Sequence, residues 1–162
     1  MVEIEVRPYR EEDVSRMMEI WNIVVEEGEA FPQTEKLYLR EAEALFSGQS
    51  HTAVAVRNSE ILGLYILHPN NVGRCGHIAN ASFAVAPETR GMGVGETLVR
   101  DCLVRGRALG FRLLQFNAVV STNARANRLY ARLGFRRVGT IPGGFLLKSG
   151  AYVDIYVYYI EL

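Results

Sequence analysis

The sequence has few of the residues and patterns that define several large classes of protein. Cys75 and Cys102 are its only cysteines, so neither a disulfide scaffold nor a cysteine metal site is expected. The three histidines show no H-x-x-x-H pairing of the kind that binds zinc on a helix. Basic and acidic residues balance at 18 each, whereas a nucleic-acid-binding domain typically carries a basic excess. We therefore expect no bound metal and no nucleic-acid partner.

Long apolar runs are also missing. None approaches the roughly 20 residues that a membrane-spanning helix needs, and residues 1–5 (MVEIE) lack the character of a signal peptide. These features favour a cytoplasmic protein with no membrane partner. A chain of 162 residues with 49% hydrophobic content also fits one domain, residues 1–162, with a sizeable core.

Hydrophobic periodicity predicts seven strands and four helices. The strands are expected over residues 2–6, 52–57, 61–68, 77–85, 113–120, 137–141 and 152–160. The helices are expected over residues 10–26, 34–46, 94–109 and 123–133. This order predicts an α+β fold in which a mixed, mostly antiparallel seven-stranded sheet is covered by helices on both faces.

A glycine-rich turn, Arg90-Gly91-Met92-Gly93-Val94-Gly95, joins the fourth predicted strand to the third predicted helix. Glycine allows a tight turn whose N–H groups converge on an anion, and the helix start adds unpaired amides and partial positive charge. The turn lacks the Lys-Ser/Thr of a phosphate-binding Walker loop, and Glu96 stands where a dinucleotide fingerprint needs a small residue. We therefore expect a site for a different diphosphate, with the Arg90 guanidinium adding a full charge.

The turn fits the acyl-CoA signature [RQ]-x-x-G-x-[GA], and a second motif follows it, Asn123-x-x-x-Asn127-x-x-Tyr130-x-x-Leu133-Gly134-Phe135. With both motifs, the chain resembles the GCN5-related N-acetyltransferase (GNAT) superfamily, most strongly over residues 77–135. The resemblance implies the acyl-CoA N-acyltransferase fold and acetyl-CoA as cosubstrate. It also implies that the fourth and fifth strands splay apart and that the pantetheine arm pairs with the fourth.

Carried onto this sequence, the resemblance and the glycine turn together give the expected cofactor contacts. These are Phe83, Ala84, Val85, Arg90, Gly91, Met92, Gly93, Val94, Gly95, Glu96, Asn123 and Asn127.

The same resemblance places the proton-donating tyrosine of the family at Tyr130, where a phenol stays protonated at neutral pH. The general base is less defined, because Asn80 stands near the place where related small-amine enzymes often have a glutamate. The candidates are His77, one of the carboxylates Glu26, Glu27 and Glu29, or a chain of ordered water.

The expected acceptor is a primary amine of a small molecule, drawn by the acidic segment 26–29. The segment 143–155 is similar to the branch that acetylates free amino acids and phosphinothricin, but polyamines, other small amines, a protein N-terminus or a lysine stay open. Because Asn80 cannot accept a proton, a non-catalytic acyl-CoA-binding module is the alternative. The tyrosine-rich last strand is a candidate wall of the acceptor pocket or a contact in a homodimer.

Overall fold

The computed structural model describes residues 3–162, so Val2 of the first predicted strand lies outside the described residues. The strands are β1 (Glu5–Pro8), β2 (His51–Arg57), β3 (Glu60–Pro69), β4 (Ile78–Val85), β5 (Leu113–Val120), β6 (Arg136–Leu146) and β7 (Tyr152–Glu161). The helices are α1 (Val14–Glu27), α2 (Leu39–Ser47), α3 (Val94–Ala108) and α4 (Ala124–Arg132). Over residues 3–162 no helix combines the length and apolar character that crossing a membrane requires.

The seven strands form one sheet in the order β1-β2-β3-β4-β5-β7-β6. Every neighbouring pair is antiparallel except β4 and β5, which run parallel. The predicted mixed, mostly antiparallel sheet is therefore confirmed. The parallel pair is short: only Ile78 with Leu113 and Ala79 with Leu114 are in register before the two strands diverge.

Helices cover both faces, as predicted, because side chains alternate across the sheet. On one face, Leu64 of β3 packs with Trp21 of α1 and Phe46 of α2. On the other face, the neighbouring Tyr65 packs with Leu98 of α3, and the partly buried side chains of α4 join the same cluster. The sheet is thus the middle layer between α1 and α2 on one side and α3 and α4 on the other.

The two largest differences from the predicted boundaries are at the start of the second helix and at the end of the sixth strand. The second helix begins at Leu39 rather than at residue 34, because the Asn22 side chain accepts from the N–H of Leu37 (2.7 Å) and donates to its carbonyl (2.9 Å). This local tether keeps the preceding segment out of the helix. The sixth strand continues to Leu146 rather than ending at residue 141, because pairing with β7 resumes at Phe145 after an irregularity.

Gly63 of β3 allows a close approach between the sheet and the start of α3. A Cβ at this position would lie 2.8 Å from the carbonyl oxygen of Ala84 and 3.1 Å from Leu98 Cδ1. The first of these neighbours is backbone and cannot swing away. The absence of a side chain at residue 63 therefore lets Val94 and Leu98 of α3 pack closely on β3.

We expect Gly63→Ala to lower the free energy of unfolding by about 1–3 kcal/mol, because the added methyl overpacks the contact between β3 and α3. Gly139→Ala is the matched control: Gly139 also lies in a strand, but a Cβ there would have no neighbour within 4 Å. Its effect should stay within about 0.5 kcal/mol. Urea unfolding of the two variants measures the difference, and equal midpoints would contradict the close contact.

Candidate active site

The divergence of β4 from β5 opens a cleft of about 1320 Å³. Its walls come from the end of α1 and the loop after it, from β4, β5 and the glycine turn, and from the first turns of α3 and α4. Phe83, Phe116 and Tyr130 lie along it. The cleft is therefore lined by residues from both the N-terminal and the C-terminal half of the chain.

The free edge of β4 forms one wall of the cleft. In an antiparallel pair, alternate residues direct both main-chain groups at the partner strand. The N–H of Ala86 donates to Leu62 (2.8 Å), so even-numbered residues of β4 face β3. The carbonyl of His77 accepts from Arg112 (2.9 Å), so odd-numbered residues face the side of β5.

Beyond Ala79, the fifth strand no longer accompanies this edge. The main-chain groups of Phe83 and Val85 are consequently turned toward the cleft, so the expected contact of these two residues with an extended ligand stays a prediction that this geometry permits. Ala84 differs, because it is paired with Leu64 of β3 and its side chain is buried in the core. The expected main-chain contact of Ala84 with the cofactor therefore does not fit this geometry.

The glycine turn presents unpaired amides at the other end of the cleft. Gly91 and Gly93 adopt φ angles of 82° and 85°, in the left-handed region that favours glycine, and Gly93 is the N-cap of α3. Across residues 3–162, no hydrogen-bond acceptor is found for the amides of Gly91, Gly93, Val94, Gly95 and Glu96. Five free N–H groups at the positive end of a 15-residue helix suit a diphosphate.

Two residues of the turn have groups that are engaged within the protein. The amide of Met92 donates to the carbonyl of Thr89 (3.2 Å) and is not free for a ligand. The side chain of Glu96 accepts hydrogen bonds from Arg100 (2.8 Å) and Arg132 (2.5 Å), so only its amide is available.

The Arg90 guanidinium, expected to face a diphosphate, makes a two-pronged ion pair with Glu27 at the end of α1, with distances of 2.8 and 2.5 Å. This pair holds the pKa of Glu27 below its ordinary value and raises the pKa of Arg90. Arg90 thus joins the glycine turn to the C-terminal end of α1. The anion site rests on backbone amides and the helix terminus.

The two asparagines of the second motif serve the structure of α4. The Oδ1 of Asn123 accepts from the N–H of Ala126 (3.2 Å) and caps the helix. Asn127 donates to the carbonyls of Val120 (3.1 Å) and Asn123 (2.8 Å) and accepts from the Tyr158 hydroxyl (2.7 Å). The expected cofactor contact of Asn127 is not supported, since its amide is engaged within the protein, whereas Asn123 also lines the cleft.

Tyr130 lies in the cleft against three aromatic rings. Its ring centroid is 4.6 Å from that of Phe116, 5.3 Å from Phe135 and 5.9 Å from Tyr158. Loss of hydration on burial raises the pKa of the phenol above its ordinary value. The hydroxyl therefore remains protonated at neutral pH and can act as a proton donor.

Some of the candidate general bases line the cleft and others lie outside it. His77 is exposed at the start of β4 and lines a separate depression with Arg112 and Leu113, outside the cleft. Glu26 is paired with Lys36 (3.1 Å), Glu27 with Arg90, and Glu29 lines the cleft. His77 is thus not placed to take a proton there.

His68 of β3 and Asn117 of β5 also line the cleft, and neither was identified as a site residue from the sequence. The two motifs that located the rest of the site lie at residues 90–95 and 123–135, so neither motif marked His68 or Asn117. The β7 tyrosines instead pack elsewhere: Tyr158 is buried, and Tyr156 lies under the Arg137 guanidinium at 4.2 Å. A role for them as the acceptor wall is therefore not supported.

A model of the acetyltransferase (GNAT) family matches residues 14–135, three quarters of the chain. The chain belongs to the GNAT family. It is an acetyl-CoA-dependent N-acetyltransferase, which confirms the sequence-based prediction of an enzyme over the binding module. Across the part of this enzyme that the structure describes, no group of three or more His, Cys, Asp or Glu side chains forms a metal site.

Individual relatives agree with the family assignment of this GNAT enzyme. The N-acetyltransferase aca1 of Schizosaccharomyces pombe is 33% identical over 167 residues, covering 92% of this chain and 80% of that protein. A GCN5-related N-acetyltransferase from Kribbella flavida is 35% identical, with a TM-score of 0.92 and 98% of each chain covered. A phosphinothricin acetyltransferase from Sinorhizobium meliloti, solved in complex with AcCoA, shares the fold at 21% identity with a TM-score of 0.89, covering 98% of this chain and 88% of that one.

We expect Gly93→Ala to weaken coenzyme A binding about tenfold or more, because a strained turn would misplace amides that each contribute roughly 1.5–3 kcal/mol to a charged ligand. Gly110→Ala is the matched control. Gly110 has a similar φ of 93° and open space around it, but it lies beyond the opposite end of α3. Calorimetric titration should show wild-type affinity for the control, and equal losses in both variants would contradict the cradle.

A double-mutant cycle with Glu27→Gln and Arg90→Gln should give a coupling of about 1 kcal/mol in the free energy of unfolding at pH 7. The pair is two-pronged, and its side chains are only 33% and 28% exposed. Because folding lowers the pKa of Glu27, the coupling is present above the ordinary glutamate pKa of about 4.3 and is lost as pH falls through the folded value.

Urea unfolding at pH 7 and pH 3 measures this coupling. The pair Glu26 and Lys36 is the comparison, since its side chains are 61% and 55% exposed and a smaller coupling is expected. A coupling between Glu27 and Arg90 that persists unchanged at pH 3 would contradict an ionic origin.

Proposed function

We propose that this enzyme transfers the acetyl group of acetyl-CoA directly to a primary amine of a small molecule, with Tyr130 as general acid. The observation that carries the proposal is the placement of a protonated, partly buried phenol in the same cleft as five amides that have no acceptor among residues 3–162. The amides would hold the diphosphate, and the free edge of β4 at Phe83 and Val85 would align the pantetheine arm. This arrangement directs the thioester into the gap between the strands.

The acid role of Tyr130 follows from the chemistry of the leaving group. As the bond from the amine nitrogen to the thioester carbon forms, the C–S bond breaks and the sulfur leaves with an electron pair. The Tyr130 hydroxyl donates a proton to that sulfur, and water then returns a proton to the phenolate. Because burial keeps the phenol protonated, it remains available as the donor throughout the neutral range.

A small cationic amine fits the negative charge of the cleft wall formed by the loop that follows α1. Glu29 lines the cleft beside Phe31, on the loop that follows α1. Negative charge at a cleft mouth attracts a cation, and the partly apolar wall suits a small molecule. The resemblance of segment 143–155 to the branch that acetylates free amino acids and phosphinothricin puts these acceptors first in the panel. Polyamines and peptide N-termini are the competing classes.

The test is release of free thiol from acetyl-CoA in the presence of an amine panel. We expect turnover with at least one small primary amine that exceeds turnover with peptides carrying a free N-terminus or lysine. Preferred acetylation of the peptides would overturn the small-molecule assignment. Absence of turnover with every amine, by folded protein that still binds coenzyme A, would overturn the proposed function.

Tyr130→Phe should lower kcat by about 10²–10⁴-fold, the usual contribution of a positioned acid, with the KM for acetyl-CoA little changed. The substitution keeps the ring and removes only the hydroxyl. Tyr156→Phe is the matched control, since Tyr156 is a half-buried tyrosine outside the cleft. Wild-type turnover in Tyr130→Phe would discard the acid role.

A further inference from the structure

We propose that His68 is the general base that deprotonates the acceptor amine, an assignment that rests on the proposed acetyl transfer. His68 lies near the end of β3, lines the cleft and is part exposed. The proposal follows from the register of two strands, the orientation of the imidazole and the engagement of the other candidate bases.

The register of β3 and β4 places His68 beside Asn80 at the edge of the cleft. His68 lies directly opposite Asn80 in the antiparallel pair. Opposed residues share a face of the sheet and have Cβ atoms about 4.5–5.5 Å apart. Both side chains line the cleft, so the two form a polar patch at the widening gap between β4 and β5.

This patch faces the acceptor side of the sheet. Leu64 and Ile66, which precede His68 at two-residue spacing, pack into the core beneath α1 and α2. His68 projects from the same face, on the side of Glu29 and the loop after α1. Tyr130 belongs to the cluster on the opposite face. The proposed base and acid therefore approach the gap from opposite faces of the sheet.

The contacts of the imidazole leave one ring nitrogen available to accept a proton. Its Nδ1 lies 3.0 Å from the carbonyl oxygen of Pro69, a group that can only accept a hydrogen bond. This contact places the proton of the neutral ring on Nδ1 and leaves the lone pair on Nε2. Histidine is also the residue type whose proton affinity suits acid–base exchange near neutral pH.

The other polar side chains near the cleft are less suited than His68 to act as the general base. Asn80 accepts from the N–H of Ala81 (2.8 Å) through Oδ1, and a neutral carboxamide does not take up a proton near neutral pH, so Asn80 is not a base. Glu27 is bound to Arg90, and His77 lies outside the cleft. Glu29 remains as an exposed carboxylate on the loop, and its variant is included in the test.

The protons and bonds of the proposed step balance. Nε2 of His68 takes one proton from the ammonium form of the acceptor and leaves a neutral amine. The amine nitrogen bonds to the thioester carbon, the C–S bond breaks, and the sulfur takes a proton from Tyr130. The nitrogen releases its second proton to water as the amide forms, and His68 and Tyr130 return to their starting forms by exchange with water. One proton is released overall for each ammonium consumed.

The experiment compares His68→Gln, His77→Gln and Glu29→Gln by steady-state kinetics with acetyl-CoA and the best amine of the panel. We expect His68→Gln to lower kcat by about 10²–10⁴-fold, with coenzyme A affinity within twofold of wild type. His77→Gln should keep the wild-type rate. Glu29→Gln should raise the KM for a cationic amine with little change in kcat.

Chemical rescue separates a proton acceptor from a structural side chain. His68→Ala leaves room at the mouth of the cleft, and added imidazole should restore its rate several-fold while leaving the wild type unchanged. Wild-type turnover in His68→Gln, or a low rate in His68→Ala that imidazole does not raise, overturns the assignment while the acetyl transfer stands. If the wild-type enzyme acetylates no amine, both the function and the base fall together.

Discussion

The separation of β4 from β5 after two paired residues is the constraint on which the site depends. A sheet normally pairs the main-chain groups along each strand, and groups left without partners need water or a ligand. Here the edge of β4 from Phe83 to Val85 has β3 on one side and the cleft on the other. The same divergence lets side chains from both faces of the sheet reach one space. An extended ligand that completes the strand is the complement that such an edge accepts.

At the end of the cleft that suits an anion, contacts with distant residues hold the glycine turn in its conformation. Gly63 allows α3 to pack closely on β3, and two glycines in the left-handed region turn the chain into the helix. Arg90 anchors this turn to α1 through Glu27, a residue 63 positions earlier. The ion pair fixes the position of the glycine turn relative to the C-terminal end of α1. The positive potential at the turn therefore comes chiefly from amide dipoles and the helix terminus.

The two faces of the sheet carry different chemistry. The face beneath α3 and α4 is aromatic near the gap, and its burial of Tyr130 keeps the phenol protonated. The face beneath α1 and α2 is polar at the corresponding position, with His68 opposite Asn80. In the proposed reaction the acceptor loses a proton on the polar face, and the sulfur gains one on the aromatic face. A sheet that stayed paired at this point would keep these two environments apart.

The element order, the glycine turn, the placement of Tyr130 and the family could all be predicted from the sequence, because they depend on local periodicity and on motifs of neighbouring residues. Which polar groups are free could be seen only once the chain was folded. Arg90 is bound to Glu27 across 63 positions, Asn127 is bound to Tyr158 across 31, and His68 enters the cleft through its register with Asn80. Hydrogen-bond partners and strand register are set by packing between segments that are distant in the sequence, so they cannot be predicted from the local sequence pattern.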